Sequence, residues 1–362
     1  MNRRRFIKLT ISLAAIAFIG KLAADTKSEI QMITSRIKNR ELKTILPFWE
    51  GNPLDENGRF MNLEFPAKNK LSNAFKWMLQ KNPQKQIKEN DTWKMPVITD
   101  DTFLNSDEDV VVFLGHSTFF IRLGGKQILI DPVLGTIPFK KRLTQFPIST
   151  DKLLNIDYVL LSHAHYDHCD KDSLKLIQKQ NPKAKFLTGL KMKSLISDWV
   201  KNSEIQEAGW YQQYNLDDKV EISFLPSRHW SNRTIGDENE RLWGAFVIKC
   251  KEKTIYFGGD SGYGSHFKEA GELFPNIDVA LIGAGAYSPR WFMSANHQDP
   301  EHAIQAFNDT KAKMMIPFHY GTFDLSDEPI SEASTILKKL VEEKKAINQL
   351  KIVNIGEVVL LV

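Results

Sequence analysis

Short apolar runs punctuate this chain, and polar or ligating residues follow several of them at once. Asp157-Tyr158-Val159-Leu160-Leu161 has the length and apolar, aromatic character of a buried strand. Behind it, Lys171 to Ile177 opens a helical pattern that either Asp170 or Asp172 would cap. Val220 to Leu225 alternates as a strand does, and Thr254 to Phe257 and Met314 to Phe318 have similar strand character. An amphipathic stretch near Leu190 to Val200 leads into a polar connection over Lys201 to Asp218. Toward the carboxyl end the pattern predicts helix over Glu332 to Leu350 and a last strand over Lys351 to Val362. Leu71, Phe75, Met78 and Leu79 fall at helical spacing among lysines, which predicts an amphipathic helix packed on the core, with membrane contact as the alternative.

The strand ends carry the chemistry. Between Leu160 and Cys169 the chain reads LLSHAHYDHC, so His163, His165, Asp167 and His168 crowd one strand-to-helix loop. Alternate side chains there can face two different points, and four ligands on one turn favour two ions over one. Imidazole with carboxylate suits zinc, with manganese or iron as alternatives. His229, Asp260 and His319 each follow another strand-like run, and the glycines of Gly258-Gly259-Asp260 permit the tight turn that would present the carboxylate.

The ligand order, HxHxDH then His, Asp and His, is similar to that of the metallo-β-lactamase fold hydrolases. Seven segments resemble the N-acylphosphatidylethanolamine-hydrolysing phospholipase D family more closely. They are GHST (115–118), SHAHYDH (162–168), SRHWSNRT (227–234), LWG (242–244), GGDSGY (258–263), AYSPRWFMSANHQDPEHA (286–303) and HYGTF (319–323). The likeness spans roughly residues 108–330; residues 25–107 match only loosely.

This resemblance implies an α/β fold, the αββα sandwich, with an N-terminal extension over residues 25–107 and the hydrolase domain over 108–362. It implies one Zn2+ on His163, His165 and His229, another on Asp167, His168 and His319, and Asp260 between them. It gives His297 as a substrate-facing catalytic residue, while His116 is expected to buttress the site. Two such ions could share a hydroxide, lowering the pKa of water from 15.7 to about 7 for attack on phosphorus. Asp167 would orient that water or take its proton, and His297, tuned near neutrality, would stabilise phosphate charge or protonate the leaving oxygen. Arg290 is expected to pair with a carboxylate within its own loop, and Trp291 and Phe292 to wall the groove.

The expected reaction is release of N-acylethanolamine and phosphatidic acid from N-acylphosphatidylethanolamine. A lactonase related to ascorbate-6-phosphate lactonases is the alternative, against which the PRWFM run speaks, and other phosphodiesterases of the fold remain open. Expected partners are a phospholipid or other phosphodiester, a membrane surface and a second copy of the chain.

Composition agrees with an enzyme: 362 residues, 42% of them hydrophobic, suffice for a sizeable core. Residues 1–24 hold Arg3, Arg4, Arg5, Lys8 and Lys21 ahead of and around an apolar run, the layout of an export signal or membrane anchor, and RRxFIK follows the twin-arginine pattern. Location in the periplasm or at a membrane follows as an expectation. Subtracting those five cations from the formal +4 leaves −1 for the remainder, which argues against nucleic acid as a partner. Cys169 and Cys250 could pair in an oxidising compartment, or Cys169 could lie behind a metal ligand; sequence alone decides neither.

Overall fold

A computed structural model describes residues 33–66, 71–201, 203–216 and 219–361. The leader at 1–24 lies outside the described residues. Strands are β1 (Ser35–Ile37), β2 (Lys43–Thr44), β3 (Asn52–Leu54), β4 (Val110–Gly115), β5 (Thr118–Leu123) and β6 (Lys126–Ile130). Next come β7 (Tyr158–Leu161), β8 (Lys185–Gly189), β9 (Ile205–Ala208), β10 (Gln212–Gln213), β11 (Val220–Leu225) and β12 (Ala245–Cys250). The chain ends with β13 (Lys253–Phe257), β14 (Val279–Gly283), β15 (Met314–Phe318), β16 (Gln349–Leu350) and β17 (Val358–Leu360). Helices are α1 (Leu71–Leu79), α2 (Lys85–Asn90), α3 (Lys171–Gln180), α4 (Lys193–Ile196), α5 (His266–Leu273), α6 (Arg290–Met293), α7 (Pro300–Thr310) and α8 (Glu332–Glu342).

Two mixed sheets form the sandwich. One has the order β17-β4-β5-β6-β7-β8-β9 and the other β16-β15-β14-β13-β12-β11-β10-β2, while β1 and β3 pair apart from both. In each, an antiparallel half joins a parallel half: β6 to β9 run parallel in the first, β13 to β16 in the second. Period-two alternation sorts the strand residues between two cores. Phe119, Ile121, Ile128, Ile130, Tyr158 and Leu160 join Phe257 and Phe318 in one cluster. Phe120, Leu129, Val159 and Leu161 turn the other way, against Leu174 and Ile177 of α3. Both faces of these strands are buried, which is why their sequences read as near-continuous apolar runs.

Several expectations need correcting. The helix from Glu332 stops at Glu342, because Lys344 turns left-handed (φ 54°) and Lys345 N–H closes on the Leu340 carbonyl. The end of the range expected to be helical, Gln349–Leu350, is instead β16, which extends the second sheet beside β15, and the last strand expected over Lys351 to Val362 is the shorter β17 (Val358–Leu360), which edges the first beside β4. Gly356, at φ +82° with its N–H on the Phe113 carbonyl, makes the turn just before β17. The polar stretch 201–218 holds β9 and β10 rather than a plain connection.

Helix α1 forms, but its apolar side does not pack inward as expected. Phe75, Met78 and Leu79 are 41%, 56% and 85% exposed, while Trp77 docks, its Nε1–H donating to Asp327 at 2.9 Å. Among the described residues no helix is long and apolar enough to cross a membrane. Cys169 and Cys250 sit in different cores and form no disulfide. Burial pushes the Cys169 thiol up to about 12, so it stays protonated at neutral pH.

Candidate metal centre

The candidate ligating residues stand at the carboxyl ends of strands from both sheets. After β7, amide groups of His168 and Cys169 close onto the His165 carbonyl, a tight turn that folds the loop back on itself. Asp170 then caps α3, accepting from Ser173 N–H at 2.9 Å and Ser173 Oγ–H at 2.6 Å. From the second sheet, β11 delivers His229, β13 delivers Asp260 and β15 delivers His319. Gly259 bends left-handed before Asp260 (φ +60°), and a Cβ there would meet the Gly244 carbonyl oxygen at 2.7 Å, so only glycine fits.

Two sets of side chains converge. His163, His165, His229 and Asp260 form one, and His116, Asp167, His168 and His319 form the other, each with ligand atoms within 4.8 Å of one another. His163 Nε2 lies 2.8 Å and His229 Nε2 3.2 Å from His165 Nδ1. Asp260 Oδ2 touches both sets: it is 3.1 Å from His168 Nε2 and from His319 Nε2, 3.7 Å from His229 Nε2 and 3.9 Å from His163 Nε2. All seven expected ligand residues are therefore brought together.

The electrostatics suit cations. Burial, with the neighbouring imidazoles, holds His163 and His229 well below the usual histidine range, and burial lowers His165 to about 4. These rings are neutral and keep a lone pair. Burial would raise Asp167 and Asp260, but His168 and its neighbours outweigh it and hold both well below the usual carboxylate range. For His319 burial acts downward, yet Asp260 and Asp167 hold it up to about 9. His165 Nε2 and Asp260 Oδ1 are buried without a hydrogen-bond partner. Leaving such atoms bare costs about 1–3 kcal/mol each, so neutral imidazoles, ionised carboxylates and orphaned atoms together fit a pair of divalent ions.

A supporting layer orients the rings, and sequence reasoning missed its centre. Asp131 is fully buried at the end of β6, with Oδ2 2.7 Å from His168 Nδ1 and 2.6 Å from Ser162 Oγ, while Oδ1 accepts from Ser162 N–H at 2.8 Å. Holding His168 by Nδ1 turns its Nε2 toward Asp260. Ser162 Oγ reaches His163 Nδ1 at 2.9 Å, and the Asn296 carbonyl holds His229 Nδ1 at 3.0 Å. The available signal was Asp131 directly after the apolar run Ile128-Leu129-Ile130, the same strand-end position as the other ligands. His116, at the β4–β5 turn, sets Nε2 3.0 Å from Asp167 Oδ2, and its carbonyl accepts from His319 N–H at 3.0 Å.

His297 follows α6 and joins the same cluster, its Nδ1 3.7 Å from Asp260 Oδ2 and its ring 5.2 Å from that of His229. Burial lowers it to about 4. Its loop is clasped by Arg290, whose Nη1 lies 2.6 Å from Asp299 Oδ2. Asp299 in turn caps α7 through His302 N–H. Gly262 lets the Asp260 loop approach closely, since a Cβ would meet the Ala295 carbonyl at 2.6 Å. Trp291 is 44% exposed, and Phe292 packs on Trp77 of α1 at 5.3 Å between ring centres.

Residues 126–320 match the Beta-lactamase superfamily domain. The chain is 29% identical to N-acyl-phosphatidylethanolamine-hydrolyzing phospholipase D 1 of Caenorhabditis elegans, over 80% of this chain and 87% of that one. It is 30% identical to the UPF0173 metal-dependent hydrolase NEQ378 of Nanoarchaeum equitans, over 65% of this chain and 92% of that one. Among solved structures, Igni18, a metallo hydrolase from Ignicoccus hospitalis, superposes with a TM-score of 0.55 at 24% identity, covering 69% of this chain and 97% of that one.

Proposed function

The chain belongs to the metallo-β-lactamase superfamily and is a metal-dependent hydrolase, and from that premise we propose that it is a two-zinc phosphodiesterase of phospholipase D type. Its substrate in this reading is N-acylphosphatidylethanolamine, cleaved to N-acylethanolamine and phosphatidic acid. The observation that carries the lipid is an apolar surface beside the candidate metal centre. Exposed Phe75, Met78 and Leu79 of α1 connect, through Trp77 packed on Phe292, with the loop that bears Trp291 and His297. Lys76 Nζ lies 4.6 Å over the Trp291 ring, so cationic and apolar groups share one face, as a phospholipid surface requires. Likeness to the nematode phospholipase supports the same substrate.

His163, His165 and His229 would hold one ion and Asp167, His168 and His319 the other, with Asp260 shared. When bound, such a pair supplies charge neutralisation at a phosphoryl oxygen and a water acidified toward neutrality. Asp167 rests one oxygen against His116 and offers its carboxylate to orient that water and accept its proton. His297, neutral at physiological pH, acts by donating a ring N–H to a phosphoryl oxygen rather than by delivering a proton. Arg290 and Asp299 keep its loop in place.

The test is a mass-spectrometric screen of zinc-loaded protein against N-acylphosphatidylethanolamine, phosphatidylcholine, a cyclic nucleotide and a lactone. Phosphatidic acid with N-acylethanolamine from the first alone is the expected result. Turnover of the lactone and of no phosphodiester would overturn the reading in favour of a lactonase.

A further inference from the structure

The run SRHWSNRT continues past His229, and the function proposed above leaves that continuation without a task. It wraps the loop of His163 to His168. Trp230 stands edge to face against His165, ring centres 4.8 Å apart, and Ser231 Oγ accepts from Ala164 N–H at 3.2 Å. Arg233 Nη1 then donates twice, to the Ala164 carbonyl at 3.2 Å and to the Cys169 carbonyl at 2.6 Å. Its guanidinium lies 3.7 Å over the Tyr166 ring and 5.1 Å from that of Trp199. Ala164 separates the first two candidate ligands, and Cys169 follows the last one on the loop. One nitrogen therefore joins the beginning of the ligand loop to its end, while the plane it belongs to covers the middle.

The Arg233 side chain spends its donors on carbonyls. Among the described residues it forms no ion pair; Asp237 accepts instead from the backbone N–H groups of Arg233 and Thr234, at 2.9 Å each, and pairs with Arg241 at 2.7 Å. Ala164 and Cys169 are fully buried, so a carbonyl deprived of this donor has no water to replace it. The N-terminal extension backs the arrangement. Arg59 Nη2 donates to the Gly236 carbonyl at 2.7 Å and Phe60 N–H to that of Asn239 at 2.8 Å, while Asn239 Oδ1 accepts from Ser231 N–H at 3.2 Å.

A guanidinium beside a loop of cation ligands opposes cation binding by its charge. What it contributes is then geometric, and a flat cation that bonds two carbonyls while covering a ring is what lysine lacks. Resting on the two-ion reading above, we infer that Arg233 is a positioning residue. Through the peptide groups it holds, it sets His163 and His165 against Asp167 and His168, and so fixes the ligand geometry of both candidate ions.

The test compares full-length native protein with Arg233→Met and Arg233→Lys. Zinc affinity is read by competition with a chromophoric chelator, and the visible absorption of cobalt-loaded protein reports ligand geometry; neither needs a substrate. Arg233→Met should weaken zinc by about 10- to 100-fold. Arg233→Lys, which keeps the charge, should still weaken it by about tenfold and alter the cobalt spectrum. Tyr166→Leu removes a partly exposed ring and no ligand, so it folds even where Arg233→Met does not, and it should weaken zinc by about two- to fivefold. Unchanged or tighter zinc in Arg233→Met, or native affinity with a native cobalt spectrum in Arg233→Lys, would overturn the inference. Failure of the lipid reading shows separately, as native zinc binding without phosphodiester turnover; a native chain that holds no metal would remove both.

Discussion

Asp131 shows how much a single carboxylate governs at the candidate centre. It spans Ser162 and His168 and so ties the first residue of the ligand loop to its last ligand. Asp131→Asn should leave the fold intact and lower metal affinity by about 10- to 100-fold, read by competition with a chromophoric chelator. Asp260→Asn and His163→Ala, by contrast, should lose bound metal and activity together, as elemental assay beside turnover will record, because Asp260 Oδ2 approaches imidazoles of both sets. For His297→Ala the expectation is a fall in turnover of about 10²–10³-fold with metal content unchanged. Metal loss in that variant would instead make His297 a ligand, which its 3.7 Å separation from Asp260 allows.

At the level of elements, the loops depend on what lies directly behind them. Helix α3 starts three residues after His168, and its first turn relies on the Asp170 carboxylate. Asp170→Ala should cost about 1 kcal/mol, seen as a lower denaturant midpoint with an unchanged slope. Helix α1 poses the opposite case, since Met78 and Leu79 lie largely in solvent. Leu79→Glu with Met78→Glu should change stability by no more than about 0.5 kcal/mol per site. Hydrolysis of vesicle-borne substrate should nevertheless drop, while a short-chain soluble substrate is turned over as before; equal loss on both would show that α1 serves the fold and not the lipid surface.

Across the molecule, ion binding should be coupled to folding, because both sheets contribute candidate ligands. Metal at a hundred times its dissociation constant adds about 2.7 kcal/mol, so chelation should lower the melting temperature and zinc should restore it, as calorimetry would record. Much of this was legible in the amino-acid order. Strands 158–161, 220–225 and 314–318 announced themselves because burial on both faces leaves unbroken apolar runs. The candidate ligands, which the fold brings together, stood out because imidazole is rare and clustered. What stayed hidden was decided by tertiary contact: whether α1 turns its apolar face inward or outward, and where the tail beyond Glu342 breaks. Asp131 escaped notice because an isolated carboxylate after a strand has many ordinary uses.

The separation of β16 from β17 bears on how the protein is made. β4 waits for β17 as its outer neighbour, although nearly the whole domain lies between them in the chain. Neither sheet acquires its final border until the tail has left the ribosome, and contacts of such long range close slowly. A nascent chain carrying every histidine would therefore still lack its completed frame, and truncation a few residues short should leave an aggregation-prone edge rather than a slightly smaller enzyme.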